Sequence, residues 1–231
     1  MKTIGLIGGM SWESTITYYE ILNKEIAMKL GGFHCAKIMM HNVDFAEIEH
    51  NMSHGNWDGN ADILSDAAKR LELAGADFIV IATNTMHKLA DRIAEKIRIP
   101  ILHIADATAA CIVRAGKSTV GLLGTKFTMT QDFIRDRIKR AGVDVIIPDN
   151  NDIDIVNDII FNELCLGKIR DSSREEYKRI ILAMKSRGAE GVVLGCTEIG
   201  MLISDKDSVL PVFDTTKIHA SEAARYALAR D

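Results

Sequence analysis

The chain reads as an α/β protein of two pseudo-symmetric domains. Each is expected to be a parallel four-stranded sheet covered by helices, with a ligand site in the cleft between them. Three observations carry this. Strand-like apolar runs alternate with helical periods along the whole sequence. The second half repeats the first: Thr3-Ile4-Gly5-Leu6-Ile7-Gly8 returns as Thr119-Val120-Gly121-Leu122-Leu123-Gly124, and Ile99-Pro100-Ile101-Leu102 returns as Leu210-Pro211-Val212-Phe213. Between these copies, the runs Gly75–Ile81 and Gly188–Leu194 both end in small polar residues, Thr83-Asn84-Thr85 and Cys196-Thr197-Glu198. The separations between matched stretches are nearly constant, which chance similarity does not explain. The division expected is residues 1–104 plus 211–231 for the first domain and 105–210 for the second.

Taken in order, Lys2–Gly8 reads as a strand and glycine turn. Ser11 or Ser14 can cap a helix with Ile16, Tyr19, Leu22, Ile26 and Leu30 on its buried face, stopped by Gly31-Gly32. Ala36–Met40 is the next strand. Asn42 to Gly59 lacks a sustained period and is read as a long irregular connection of the kind that often binds ligands. Helices follow over Ala61–Ala74 and Met86–Ile97, on either side of the first key strand. Pro100–His103 is the fourth strand, and Asp106–Ala115 a helix leading out.

The second copy opens with the strand Thr119–Gly124, a helix from near Thr128 to Gly142, and the strand Val143–Ile147. Ile153–Leu166 is helical by spacing, with Gly167 as its stop. Ser173-x-x-Glu176 predicts a capping box at the head of a helix that buries Tyr177, Ile180, Ile181 and Met184. After the second key strand and Leu210–Phe213, an alanine-rich helix follows.

Composition narrows the function. The 231 residues carry a net charge of −4, with no basic footprint for nucleic acid. No apolar run approaches the length of a membrane span, and Ile4–Ile7 is too short for a signal-peptide core. The expectation is a cytoplasmic protein. The four cysteines are far apart and make no zinc-like pair, so no metal is expected. Cys35, Cys111 and Cys165 sit in apolar surroundings and read as small buried hydrophobes. Gly5-Leu6-Ile7-Gly8-Gly9 lacks the G-x-G-x-x-G spacing, and close strand–helix packing accounts for its glycines. His87, His103 and His219 read as core-edge or surface residues, His103 being the most notable because it ends a strand.

Cys196 stands apart because a strand gives way there to what looks like a short helix. A thiol at a helix N-terminus has its anion favoured, which lowers its pKa below the free value of about 8.5. Thr83, Asn84 and Thr85 offer hydroxyl, amide and backbone donors suited to a carboxylate. Threonine alone cannot abstract a carbon-bound proton, but opposite a thiolate it can donate or relay one. Lys168, after Gly167, reads either as a solvated helix end or as a cation aimed at a substrate carboxylate.

The stretches Gly5–Thr15, Thr83–His87 and Gly195–Glu198, with Gly124-Thr125 and Phe213-Asp214-Thr215, resemble the aspartate/glutamate racemase family over the whole chain. The resemblance implies two α/β domains with the active site between them, and amino-acid inversion without pyridoxal phosphate, metal or other cofactor. It also implies a homodimer. Most such proteins carry two cysteines; Thr83 replaces one here, as in the subgroup specific for L-aspartate and L-glutamate. By position, Cys196 and Thr83 would be catalytic. Asn84, Thr85, Thr197 and the Met10 backbone would hold the α-carboxylate, Thr125 would line the site, and Glu198 would lie near the α-ammonium. Met52 falls where relatives place a polar substrate contact, and Lys168 would supply the partner for the side-chain carboxylate. The single thiol also suits a dicarboxylate decarboxylase or a cis–trans isomerase, and the same scaffold without catalysis suits an amino-acid-binding protein.

Overall fold

In the computed structural model, which describes residues 1–229, the repeated apolar runs form two separate parallel four-stranded sheets. The chain divides into two compact units: Met1–His103 with the segment from His219 onward, and Ile104–Ile218.

In the first unit, β1 (Ile4–Gly8) leads to α1 (Trp12–Leu30), β2 (Ile38–Asn42), α2 (Phe45–Ser53), α3 (Trp57–Leu73) and β3 (Phe78–Ile81). A 3-10 turn over Thr85–Leu89, α4 (Ala90–Ala94) and β4 (Ile101–Leu102) complete it. The sheet order is β2-β1-β3-β4, all parallel. Parallel strands need crossovers, and the helices supplying them cover the sheet faces. The central strands β1 and β3 are therefore apolar and buried at every residue, while the edge strand β2 ends in His41 and Asn42. Ile4, Leu6, Phe78 and Val80 pack in one cluster with Tyr18, Leu22 and Ile26 of α1, while Ile7, Ile79 and Ile81 are buried outside that cluster.

Two glycines are required by this geometry. Gly9 turns the chain out of β1 at φ 90°, and a Cβ there would lie 2.2 Å from the Val43 carbonyl oxygen. A Cβ on Gly124, at the end of the second unit's first strand, would lie 2.8 Å from the Gly195 carbonyl oxygen. Both serve close backbone packing at strand ends.

The second unit opens with α5 (Ile104–Arg114) and β5 (Thr119–Gly124). It continues through α6 (Lys126–Thr130), α7 (Asp132–Arg140), β6 (Asp144–Ile146), α8 (Asn150–Asn162), a 3-10 turn at Leu164–Leu166 and α9 (Asp171–Ser186). Then come β7 (Val192–Gly195), α10 (Ile199–Leu202), β8 (Val212–Asp214) and α11 (Thr215–Leu228). The order β6-β5-β7-β8 reproduces the first sheet. Alternation sorts its side chains: Leu123, Val192 and Leu194 enter one cluster, and Val120, Leu122 and Val193 the other.

Several expectations are corrected. The expected domain boundary at 211 is displaced: Val212–Asp214 pairs with β7, so the return to the first unit comes only at His219, inside α11. The buried stripe of α1 is Thr15, Tyr18, Leu22 and Ile26, leaving Ile16 and Tyr19 each 55% exposed. Asn42 to Gly59 is largely helical: Asp44 caps α2 by accepting from the Ala46 N–H, Asn56 caps α3, and Ile48 and Met52 supply the buried face of α2. Gln131, extended at ψ 159°, splits the helix expected to run to Gly142. Ser173 lies inside α9, and its hydroxyl donates to Glu163 Oε2 (2.6 Å) rather than capping. Cys35 is exposed, and Cys111 and Cys165 are only partly buried.

A buried polar junction at His219 joins the apolar packing of α11 in holding that segment to the first unit. His219 Nε2 donates to the Leu102 carbonyl (2.8 Å), which leaves Nδ1 to accept from the Tyr18 hydroxyl (2.8 Å). Burial lowers the His219 pKa from 6.5 to about 4. The unfolded chain then binds more protons than the folded one between those values, so stability falls as pH drops through that window. The loss from this group is expected to total about 3 kcal/mol between pH 6.5 and 4. Denaturant titrations across that range should show a flatter profile for His219→Gln than for the wild type.

Candidate active site

An open parallel sheet binds ligands beyond the carboxyl ends of its strands, where the strand order reverses direction. In the first unit that point lies between β1 and β3; in the second it lies between β5 and β7. Among the expected site residues, Met10, Thr83, Asn84 and Thr85 follow β1 and β3. Thr125, Cys196, Thr197 and Glu198 follow β5 and β7. All eight are buried.

On the first unit, β3 ends when the Thr83 N–H turns back to the Ile81 carbonyl (2.8 Å). The 3-10 turn begins two residues later. Within it His87, 2% exposed, places Nδ1 2.7 Å from the Thr83 carbonyl oxygen. Its ring stacks edgewise on those of His103 (4.6 Å between centroids) and His219 (5.5 Å). All three histidines are therefore interior residues of the first unit, contrary to a surface or core-edge reading.

On the second unit, the register sets Gly124 beside Gly195, so Thr125 and Cys196 leave adjacent strands side by side. Thr125 caps α6 by accepting from the Thr128 N–H. The Cys196 thiol donates to Glu198 Oε2 (2.9 Å), and the Thr197 hydroxyl donates to the same oxygen (2.8 Å). Glu198 is therefore a thiol partner here, whereas the resemblance implied a place near an ammonium group.

The thiol's electrostatics also differ from expectation. Burial pushes the Cys196 pKa well up, and the Glu198 charge pushes it further. The helix expected to lower it, α10, is a single turn that begins three residues beyond the sulfur, too short and too far to compete. At neutral pH the group is a thiol with a carboxylate already bonded to its proton. Tyr177, buried in the same cluster, has its phenol pushed up by burial and then by Cys196.

Met52 lies on the buried face of α2 rather than in a loop, and Lys168 is exposed just after the turn that Gly167 closes at φ 68°. The role of His87 was missed, although its spacing from Thr83 is one helical turn and could have signalled it. Among the described residues, no group of three or more His, Cys, Asp or Glu could hold a metal ion, and no helix is long and apolar enough to cross a membrane.

Fold and strand-end chemistry together define an α/β enzyme with a buried thiol–carboxylate pair. The sequence pattern of the Asp/Glu/hydantoin racemase family matches residues 7–223, and the chain belongs to that family, which makes it an isomerase of the racemase class. It is similar, at 52% identity and a TM-score of 0.93, to a Yersinia pestis crystal structure named for a candidate Asp/Glu racemase, with 99% of this chain and 100% of that one covered. It is 36% identical to an aspartate racemase homologue from Pyrococcus horikoshii OT3 (TM-score 0.85, covering 99% and 100%). Over 168 residues it is 26% identical to the broad specificity amino-acid racemase RacX of Bacillus subtilis, spanning 71% of this chain and 70% of RacX.

Because Glu198 raises the thiol pKa, Glu198→Gln should move the pH midpoint of Cys196 alkylation by iodoacetamide downward, read by mass spectrometry. An unmoved midpoint would mean that burial alone sets the thiol.

Proposed function

We propose that this protein inverts the α-carbon of an acidic amino acid, L-aspartate and/or L-glutamate, without a cofactor, acting poorly or not at all on the D-enantiomer. The observation that carries the reading is the Cys196–Glu198 pair at the end of β7, with Thr83 at the matching position after β3. In this reading Glu198 accepts the thiol proton, and the Cys196 thiolate removes the α-proton. The electron pair left on the α-carbon delocalises into the α-carboxylate. The Thr83 hydroxyl then delivers a proton to the opposite face and is reprotonated by solvent, while Glu198 returns the proton it accepted to solvent. Cys196 keeps the former α-proton as its thiol hydrogen, and the site is restored. Asn84, Thr85, Thr197 and the Met10 backbone hold the α-carboxylate, Thr125 lines the site, and Lys168 reaches the side-chain carboxylate. Met52 contributes apolar contact, since a thioether is a poor partner for a carboxylate.

We also infer a cytoplasmic homodimer. Exposed Trp12, Ile16 and Tyr19, spaced along one face of α1, support an apolar interface between copies.

The unlike pair predicts asymmetry. Chiral analysis of an amino-acid panel in deuterium oxide, with no cofactor added, should find solvent deuterium at the α-carbon of aspartate or glutamate. A positioned base supplies roughly 10²–10⁴-fold of rate, so Cys196→Ala should reduce exchange to background. Thr83→Ala should retain exchange on one enantiomer only, and Thr83→Cys should extend activity to the D-enantiomer. Racemisation surviving in Cys196→Ala would remove the mechanism.

A further inference from the structure

We infer that His87 is a positioning residue for proton delivery by Thr83, an inference that rests on the racemase reading above. Both backbone polar groups of Thr83 are committed: its N–H to the Ile81 carbonyl, and its carbonyl to His87 Nδ1 at 2.7 Å. A carbonyl only accepts, so Nδ1 carries its hydrogen whatever the charge of the ring. These two bonds fix the Thr83 backbone, and with it the direction of the Cβ that bears the hydroxyl, without engaging the hydroxyl itself. The Thr83–Asn84 peptide is planar, so holding its oxygen toward His87 aims the Asn84 N–H the opposite way. The Cβ that bears the hydroxyl and the neighbouring amide are thereby oriented together.

The histidine is in turn held from behind. Its ring packs edgewise against His103 and His219, and His219 is bonded at both nitrogens, to Tyr18 and to Leu102. His219, held at both nitrogens, gives the His87 ring a fixed surface to pack against, which is what a catalytic group needs from its supports. An ordinary helix start would satisfy the Thr83 carbonyl with a backbone N–H four residues on. Here the His87 N–H goes to the Asn84 carbonyl (3.1 Å) and the side chain takes its place. The sequence therefore uses an imidazole where the backbone alone would close a looser turn.

Two near-isosteric substitutions separate positioning from packing. The amide nitrogen of asparagine can occupy the place of Nδ1, whereas that of glutamine reaches toward Nε2. In deuterium oxide, exchange with retention reports Cys196 alone, and exchange with inversion requires Thr83. His87→Asn should keep most of the inversion. His87→Gln should lose it roughly 10- to 100-fold while exchange with retention persists. Equal inversion in the two variants, a parallel fall of both kinds of exchange, or failure of His87→Asn to fold would each overturn the inference. Wild-type protein that exchanges no acidic amino acid would defeat the racemase reading itself, a separate result.

Discussion

A parallel sheet covered on both faces leaves no lateral room for polar chemistry. In this protein the central strands Ile4–Gly8, Phe78–Ile81 and Val192–Gly195 are buried at every residue, and in Thr119–Gly124 only the first is not. Their side faces are spent on packing, and the polar side chains that the sequence supplies collect where the strands stop. Both halves obey this in the same strand order, so each brings its own set of small polar residues to the same topological position. The copies differ in what they carry there: a hydroxyl at one end, a sulfur with a carboxylate at the other.

The sulfur's state is decided by competing magnitudes. A helix terminus acts over about one turn and is worth about 1 kcal/mol or less at an exposed site. Burial and a neighbouring carboxylate act directly on the charged form and win when the helix is short and removed. The group is thus a buried thiol whose hydrogen bond goes to the Glu198 carboxyl, and its protonated form is the favoured one.

Much of this architecture was legible in the residues. The repeat gave the paired sheets, and Gly5–Thr15, Thr83–His87 and Gly195–Glu198 together gave the family. Errors arose where a pattern admitted two solutions. In α1 both Ile16/Tyr19 and Thr15/Tyr18 fit a helical stripe, and a buried partner for the Tyr18 hydroxyl decided between them. Asn42 to Gly59 looked irregular because its two helices bury few large residues and are punctuated by Asn and Gly. Ser173 matched a cap in sequence, but Glu163 from a preceding element claimed its hydroxyl. Periodicity carries no information about such long-range partners. The Cys196–Glu198 bond was equally hidden, since adjacency in sequence does not say which way two side chains turn.

The placement of α11 has a consequence for how the protein comes into being. Ala220, Ala223, Ala224 and Ala227 belong to the same cluster as Ile4, Leu6 and Phe78, yet more than a hundred residues of the other unit are translated between them. The unit whose strands emerge first from the ribosome must wait for its own lining, while the later one has all its strands and both its clusters in one continuous stretch. The half whose strands are made first is thus the one whose core is closed last, by a helix from the far end of the sequence.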